Sequence, residues 1–202
     1  YKKGVLYRKE APVLWCPSCR TAIAQADLED CEEKSQINYL NFKSAQGKDL
    51  TVATTRPELL PACVALYVNP KDKRYQKLIG TEAEVPLFNY TVPICESEKV
   101  EIEFGTGLMM VCTWGDKDDL EKWQTDKLPT RALIQEDGRL NEKGGQFAGL
   151  KIIKARETII AELQVKKLLV KQEPVEHTLN VHERCGTPTE FVLSQQWFIK
   201  IA

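Results

Sequence analysis

Ala53-Thr54-Thr55-Arg56-Pro57-Glu58 closes an apolar stretch and gathers two hydroxyls, a guanidinium and a carboxylate in successive positions. Thr54 and Thr55 are β-branched and Pro57 cannot donate to a ladder, so a strand is predicted over 50–55 that stops there. Outward from it, the Gln46-Gly47-Lys48 turn leads back to a strand over 38–42. In the other direction a strand over 62–68 closes at Asn69-Pro70, with a short helix over 71–78. Further strands are expected over 92–94, 108–112 and 132–134, the last ending at the Glu136-Asp137-Gly138 turn. Two helices have clearer signatures. One is capped by Asp116 and runs to about Lys127 with Leu120 and Trp123 on one face; the other, over 150–169, carries Ile152, Ala155, Ile159, Leu163 and Leu168 as an apolar stripe. Many short strands with few helices predict an α+β fold, a small β-barrel core decorated with helices.

Taken alone, Thr54 and Thr55 read as a strand end, Arg56 as a surface charge and Glu58 as a helix-start carboxylate. A second cluster changes the weight of the first. In Phe104-Gly105-Thr106-Gly107 the glycines permit positive φ or close backbone approach, and an apolar strand then runs into Cys112-Thr113-Trp114-Gly115-Asp116. Asp116, Asp118 and Asp119 crowd one helix N-terminus, where the dipole favours ionised carboxylates; capping accounts well for only one of them. An ionised aspartate at the mouth of a pocket is suited to an ammonium group. The two clusters together describe a polar pocket for a small zwitterion-like group joined to a nucleotide.

Cys16-Pro17-Ser18-Cys19 is a knuckle that can aim two thiolates at one tetrahedral ion, and His182-Glu183-Arg184-Cys185, followed by Gly186, is its natural partner. A zinc ion on Cys16, Cys19, His182 and Cys185 would tie the two ends of the chain together. The competing reading is a redox pair and an unrelated surface histidine. His177 lacks the knuckle spacing, and Cys31, Cys63, Cys95 and Cys112 read as small core residues.

The chain has 202 residues, enough for one domain or a domain with a small module. With 43% hydrophobic residues and 28% charged, a packed core is expected and disorder is not. The net charge of −1 lacks the basic field of a free-standing nucleic-acid binder, so any nucleic acid has to be held partly by something else. No apolar run reaches membrane-spanning length and no signal-peptide pattern opens the chain, so no membrane partner is expected. Seven scattered cysteines fit a reducing cytoplasm better than a disulfide scaffold. Both ends read as cut, as in a piece of a larger protein.

Thr54-Thr55-Arg56-Pro57-Glu58 resembles the threonine-rich peptide of the editing domain inserted into valyl-, leucyl- and isoleucyl-tRNA synthetases. Glu103-Phe104-Gly105-Thr106-Gly107 followed by Asp116 is similar to that family's second motif, and Trp15 to Cys19 with Arg184-Cys185 through Gln196-Trp197-Phe198 match its zinc-bearing frame. The continuations Leu59-Leu60-Pro61-Ala62 and Cys112 to Asp116 look most like the archaeal or eukaryotic-like valyl branch. The resemblance covers nearly the whole chain. It implies the family's editing fold, a zinc-bearing root at 1–35 and 175–202, and an editing domain at 36–174. The implied reaction is hydrolysis of threonyl-tRNA(Val), with a leucyl- or isoleucyl-type substrate, or acceptor-end binding without hydrolysis, as alternatives. Asp116 is expected to hold the substrate's α-amino group, with Asp119 near its side chain or the attacking water. Thr54 and Thr55 would hydrogen-bond the aminoacyl group. Arg56 would meet the terminal adenosine or its phosphate, and Phe104 would pack on that adenosine. Glu58, Gly105, Thr106, Gly107 and Thr113 complete the expected substrate surface. The implied cofactor is structural zinc alone, hydrolysis needing none. ATP belongs to the parent enzyme, whose His-Ile-Gly-His and Lys-Met-Ser-Lys-Ser signatures are absent from this chain. The implied partners are the CCA end of tRNA(Val) and the rest of the parent, the fragment itself being monomeric. Where the bacterial pattern carries lysine, threonine and histidine, this chain has Met110, Cys112 and Gly115, so the threonine hydroxyl falls to other donors such as Thr113.

Overall fold

A computed structural model describes residues 5–200 of the chain. Residues 1–4 and 201–202 of the expected root lie outside them. Among the described residues the architecture is mixed α+β: ten strands, β1 (Leu6–Cys16), β2 (Thr21–Ala22), β3 (Leu28–Ser44), β4 (Asp49–Thr54), β5 (Cys63–Val68), β6 (Glu82–Glu84), β7 (Thr91–Glu96), β8 (Leu108–Cys112), β9 (Leu169–His182) and β10 (Glu190–Ile199), with two α-helices, α1 (Lys117–Asp126) and α2 (Ile152–Val165).

Seven strands form one sheet in the order β4-β3-β6-β7-β5-β8, with β9 pairing the long β3 outside that path. The sheet curls, so that β4 and β8 at the two ends of the order come back into contact. The β3–β4 hairpin turns at Gly47, whose φ of +75° is open to glycine at no steric cost. Along its second half β3 alternates strictly, burying Asn38, Leu40, Phe42 and Ser44 and turning the residues between them outward. β5 differs: Cys-Val-Ala-Leu-Tyr-Val is buried along its whole length. One of its faces (Cys63, Leu66, Val68) joins the main core with Leu40, Phe42 and Val52; the other (Val64, Ala65, Tyr67) packs with Val100 and Val111. Central strands covered on both faces read as continuous apolar runs, as this one does.

α2 lays Ala155, Ile159 and Leu163 on the 3-10 turn Pro57–Ala62, whose six residues are all buried. At roughly 25 cal/mol per Å² of apolar surface, that stripe is the principal hold of the helix on the body. The helix ends at Val165, earlier than the stripe through Leu168 implies: Lys167 has φ 57° and Leu168 caps back onto Leu163, leaving its side chain packed on the core. The expected helix over 71–78 reduces to a 3-10 turn at Gln76–Leu78, because Asp72 binds Arg74 and turns the chain before a helix can propagate. The segment 132–134 contributes a single bridge, Ile134 to Leu140.

Two long ribbons make up the rest. β1 pairs with β10 from Leu6–Ile199 to Trp15–Glu190, and β9 runs antiparallel to β3 from Leu28–His182 to Leu40–Leu169. Cys31 lies on this second ribbon and is exposed, unlike the expected core residue; Cys63 and Cys112 are buried and Cys95 is half-buried. The ribbon has no core beneath it at Cys31, where neighbouring Asp30 and Glu32 are exposed as well.

Candidate functional site

β4 ends at Thr54, whose Oγ1 accepts from the Arg56 N–H at 3.0 Å while its carbonyl accepts from Asn38 Nδ2 at 3.2 Å. This local bond turns the chain out of the strand and into the buried turn over 57–62. Thr54 and Thr55 remain half-buried. Arg56 is directed inward. Its Nε donates to Glu58 at 3.0 Å, Nη1 to the Gly115 carbonyl at 2.8 Å and Nη2 to Glu190 at 2.7 Å. Glu58 is fully buried, and Arg156 of α2 binds both of its oxygens at 2.9 Å. Burial opposes charge on all four groups, but the pairing outweighs it at Arg56 and Arg156, whose guanidiniums are held more firmly protonated, and at Glu58, whose carboxyl is held low. For Glu190 burial dominates and pushes the carboxyl up. All three kinds of guanidinium nitrogen of Arg56 and both carboxylate oxygens of Glu58 are thus engaged in an internal network.

The second motif folds over the end of the first. Gly105 and Gly107 have φ of +58° and +74°, and a Cβ added to Gly105 would lie 3.6 Å from Ala53 Cβ. A side chain at Gly107 would be strained by its φ and would crowd the Ile102 carbonyl at 3.0 Å and the Arg74 guanidinium at 2.6 Å. Thr106 contributes its carbonyl to the Tyr75 hydroxyl at 3.0 Å and its Oγ1 to the Leu108 N–H. Phe104 stands out in solvent, 75% exposed.

β8 then delivers the carboxylates. Asp116 caps α1, its Oδ1 accepting from Asp119 N–H at 2.8 Å, and is itself exposed. Asp119, half-buried, turns back to accept the N–H groups of Cys112 at 3.2 Å and Gly115 at 3.0 Å. Burial, then the neighbouring Asp116, push its carboxyl up to about 8; the two N–H donors and Arg56 pull the other way and lose. Thr113 is 2% exposed. Its hydroxyl lies between the Ala62 carbonyl and the Arg131 N–H, not toward a pocket. Arg56 thus ties the end of β4 to Gly115, the residue before Asp116, and Gly105 lies against Ala53, while Glu58 and Thr113 turn into the protein. A separate cleft of about 590 Å³ between α2 and the ribbons is walled by Thr55, Arg56, Arg156, His177 and Glu190 among others, and neither Asp116 nor Asp119 lines it. Volume alone does not make it the reactive site: its four cations and four acids balance, and the raised carboxyl on its wall, Glu190, is already bound by Arg56 Nη2.

At the chain's two ends, the ligand atoms of Cys16, Cys19, His182 and Cys185 all lie within 4.8 Å of one another. Cys16 Sγ is 3.5 Å from Cys185 Sγ, which is 3.4 Å from His182 Nδ1. A tetrahedral zinc ion with its usual bond lengths needs edges of about 3.8 Å between sulfurs and about 3.5 Å from sulfur to nitrogen. The set fits. Both turns are built alike: Arg20 (φ 52°) donates to the Cys16 carbonyl at 2.7 Å, and Gly186 (φ 64°) to the His182 carbonyl at 2.9 Å.

The family model for tRNA synthetases class I (I, L, M and V) matches residues 1–202. The chain belongs to that family. Over 199 residues it is 48% identical to a valine–tRNA ligase of Thermoplasma volcanium, covering 98% of this chain and 25% of the relative. It is 48% identical over 202 residues to that of Methanocaldococcus jannaschii (100% and 23%), and 47% over 200 residues to that of Rickettsia rickettsii (98% and 25%). The chain thus spans about a quarter of the length of the curated relatives it matches. In this synthetase chain the partners of the first motif, Arg156 and Glu190, escaped the sequence reading. They lie 98 and 134 positions from the residues they bind, and no local pattern marks either. The available signal was indirect: a buried arginine needs a carboxylate, and a buried glutamate needs a guanidinium.

Proposed function

We propose that this chain is the editing module of a valyl-tRNA synthetase and hydrolyses threonyl-tRNA(Val) at the site shared by Thr54, Thr55, Asp116 and Asp119. The observation that carries the reading is the pair of carboxylates at the start of α1, one exposed and one pushed up to about 8, set beside the end of β4. Family membership and relatives named valine–tRNA ligase support the choice of amino acid. A valine pocket rejects threonine, which differs by a hydroxyl in place of a methyl, by only about 10²-fold, so a second site must remove the error.

Asp116, open to solvent, takes the ammonium of the aminoacyl group. Asp119 has a proton affinity matched to neutral pH and takes a proton from the water that attacks the ester carbonyl; threonine leaves from the terminal ribose hydroxyl, which recovers a proton. Thr54 and Thr55 orient the aminoacyl group, Phe104 offers its exposed ring to the adenosine, and Gly105, Thr106 and Gly107 form the turn against which it rests. An aminoacyl ester is labile enough for positioning and charge stabilisation to suffice. Cys16, Cys19, His182 and Cys185 hold a structural zinc ion, which closes the root (1–35 and 175–202) on which the editing body (36–174) stands; hydrolysis takes no step through it. The partners are the CCA end of tRNA(Val) and the rest of the synthetase, in the cytoplasm, and ATP serves only the parent's ligation site.

The test is deacylation by the full-length protein of tRNAs carrying threonine, valine, norvaline or isoleucine. Threonyl ester is expected to be cleaved at least about 10²-fold faster than valyl ester. Preference for norvalyl or isoleucyl ester would move the assignment to a leucyl-type substrate. Binding of a non-hydrolysable threonyl-adenosine analogue with no turnover of any ester would reduce the module to acceptor-end binding.

A further inference from the structure

Glu190, the first residue of β10, belongs to the root rather than to the body that carries the carboxylates. It is 5% exposed and reaches Arg56 Nη2 at 2.7 Å. Arg56 Nη1 in turn holds the Gly115 carbonyl at 2.8 Å, and the Gly115 N–H lies 3.0 Å from Asp119 Oδ2. The third nitrogen, Nε, is fixed by Glu58, which Arg156 anchors to α2. A guanidinium held from two sides has one orientation left, and that orientation sets the Gly115 backbone. Without a side chain of its own to pack, Gly115 depends on that external hold.

We propose that Glu190 is a positioning residue for Asp119, acting through Arg56 and the Gly115 backbone to keep the Gly115 and Cys112 N–H groups on the Asp119 carboxylate. The assignment rests on the hydrolytic reading above and adds that the body's site is completed by the root. The charged and titratable groups facing Asp119 are Asp116 at the helix cap, Arg56 behind Gly115, and Cys112 on β8, whose cross-strand neighbour on β5 is Cys63. Two effects of removing the Glu190 charge then have opposite signs. Through space, a less compensated Arg56 would lower the proton affinity of Asp119. Through position, a loosened Gly115 would withdraw donors that stabilise the carboxylate and raise it.

The experiment is single-turnover deacylation of threonyl-tRNA by the full-length protein from pH 6 to 9, for the wild type, Glu190→Gln, Glu190→Asp and Asp119→Asn. For Glu190→Gln the pH midpoint is expected to rise by about half a unit or more. The plateau rate should fall about tenfold with KM held within about twofold. Glu190→Asp keeps the charge but withdraws the oxygen by one methylene, and is expected to shift the midpoint in the same direction; it also serves if the glutamine variant melts below the assay temperature. A midpoint that falls or stays in both variants, while Asp119→Asn loses the pH-dependent limb, overturns the assignment of Glu190 alone. If Asp119→Asn keeps the wild-type rate and profile, the hydrolytic reading itself fails and takes this assignment with it.

Discussion

The Asp119 carboxylate occupies the space that a side chain at Gly115 would need: a Cβ there would lie 2.6 Å from Asp119 Oδ2 and 3.0 Å from Leu59 Cδ1. The glycine that stands where the bacterial editing pattern has histidine is therefore matched to an inward-turned aspartate. Neither the oxygen, held by two backbone N–H groups, nor Leu59 in the core yields cheaply. Gly115→Ala is expected to cost about 1–3 kcal/mol, as overpacking does. It should also lower threonyl-tRNA deacylation, and urea denaturation beside a deacylation assay checks both.

Asp119 gives stability a definite pH dependence. Its carboxyl is raised from 3.8 to about 8 in the folded protein, so the folded state binds the extra proton throughout that interval. The contribution is fully present below about pH 4 and is lost as pH rises through about 8. Asp119→Asn, which keeps an acceptor for the two N–H groups and cannot ionise, should melt higher than the wild type at pH 8 and show little difference at pH 4. Melting curves at the two pH values test this, and a variant that melts lower at pH 8 would contradict it.

Arg156 is the distant half of the buried pair with Glu58. Arg156→Met leaves a fully buried carboxylate with Arg56 alone and is expected to cost about 3–5 kcal/mol, the range for breaking a buried pair. Adding Glu58→Gln should recover part of that loss, because the uncompensated charge goes with it. A double-mutant cycle by urea denaturation measures the coupling.

The clasp at the chain ends predicts one zinc per chain, measurable by elemental analysis of protein purified without chelator. Stripping the ion, or Cys185→Ser, should lower the melting temperature, because binding free energy at a structural site is folding free energy. Metal-free protein with unchanged melting would count against the clasp.

How far this molecule was legible depended on distance along the chain. Asp116 as a helix cap, the end of a strand at Thr54 and the Cys16/Cys19 and His182/Cys185 pairs were readable, because each is written within a few residues. The inward course of Arg56 and Glu58 was not. Their partners come from α2 and β10, and a local motif carries no record of which way a long side chain turns. Thr113 misled for a related reason: a hydroxyl next to a candidate site looks available, whereas Ala62 and Arg131 had already claimed it. The ribbon of β3 with β9 escaped because its first half is polar on both sides and lacks the alternation that reveals a half-buried strand.

The measurement that bears most directly on the central claim is threonyl-tRNA(Val) deacylation by the full-length protein carrying Asp116→Ala. The exposed carboxylate that receives the substrate ammonium is then gone, while melting should change little because the side chain supplies only a helix cap, worth about 1 kcal/mol. The account predicts loss of deacylation by about 10²-fold or more in a folded protein. Deacylation at the wild-type rate in that variant would contradict it.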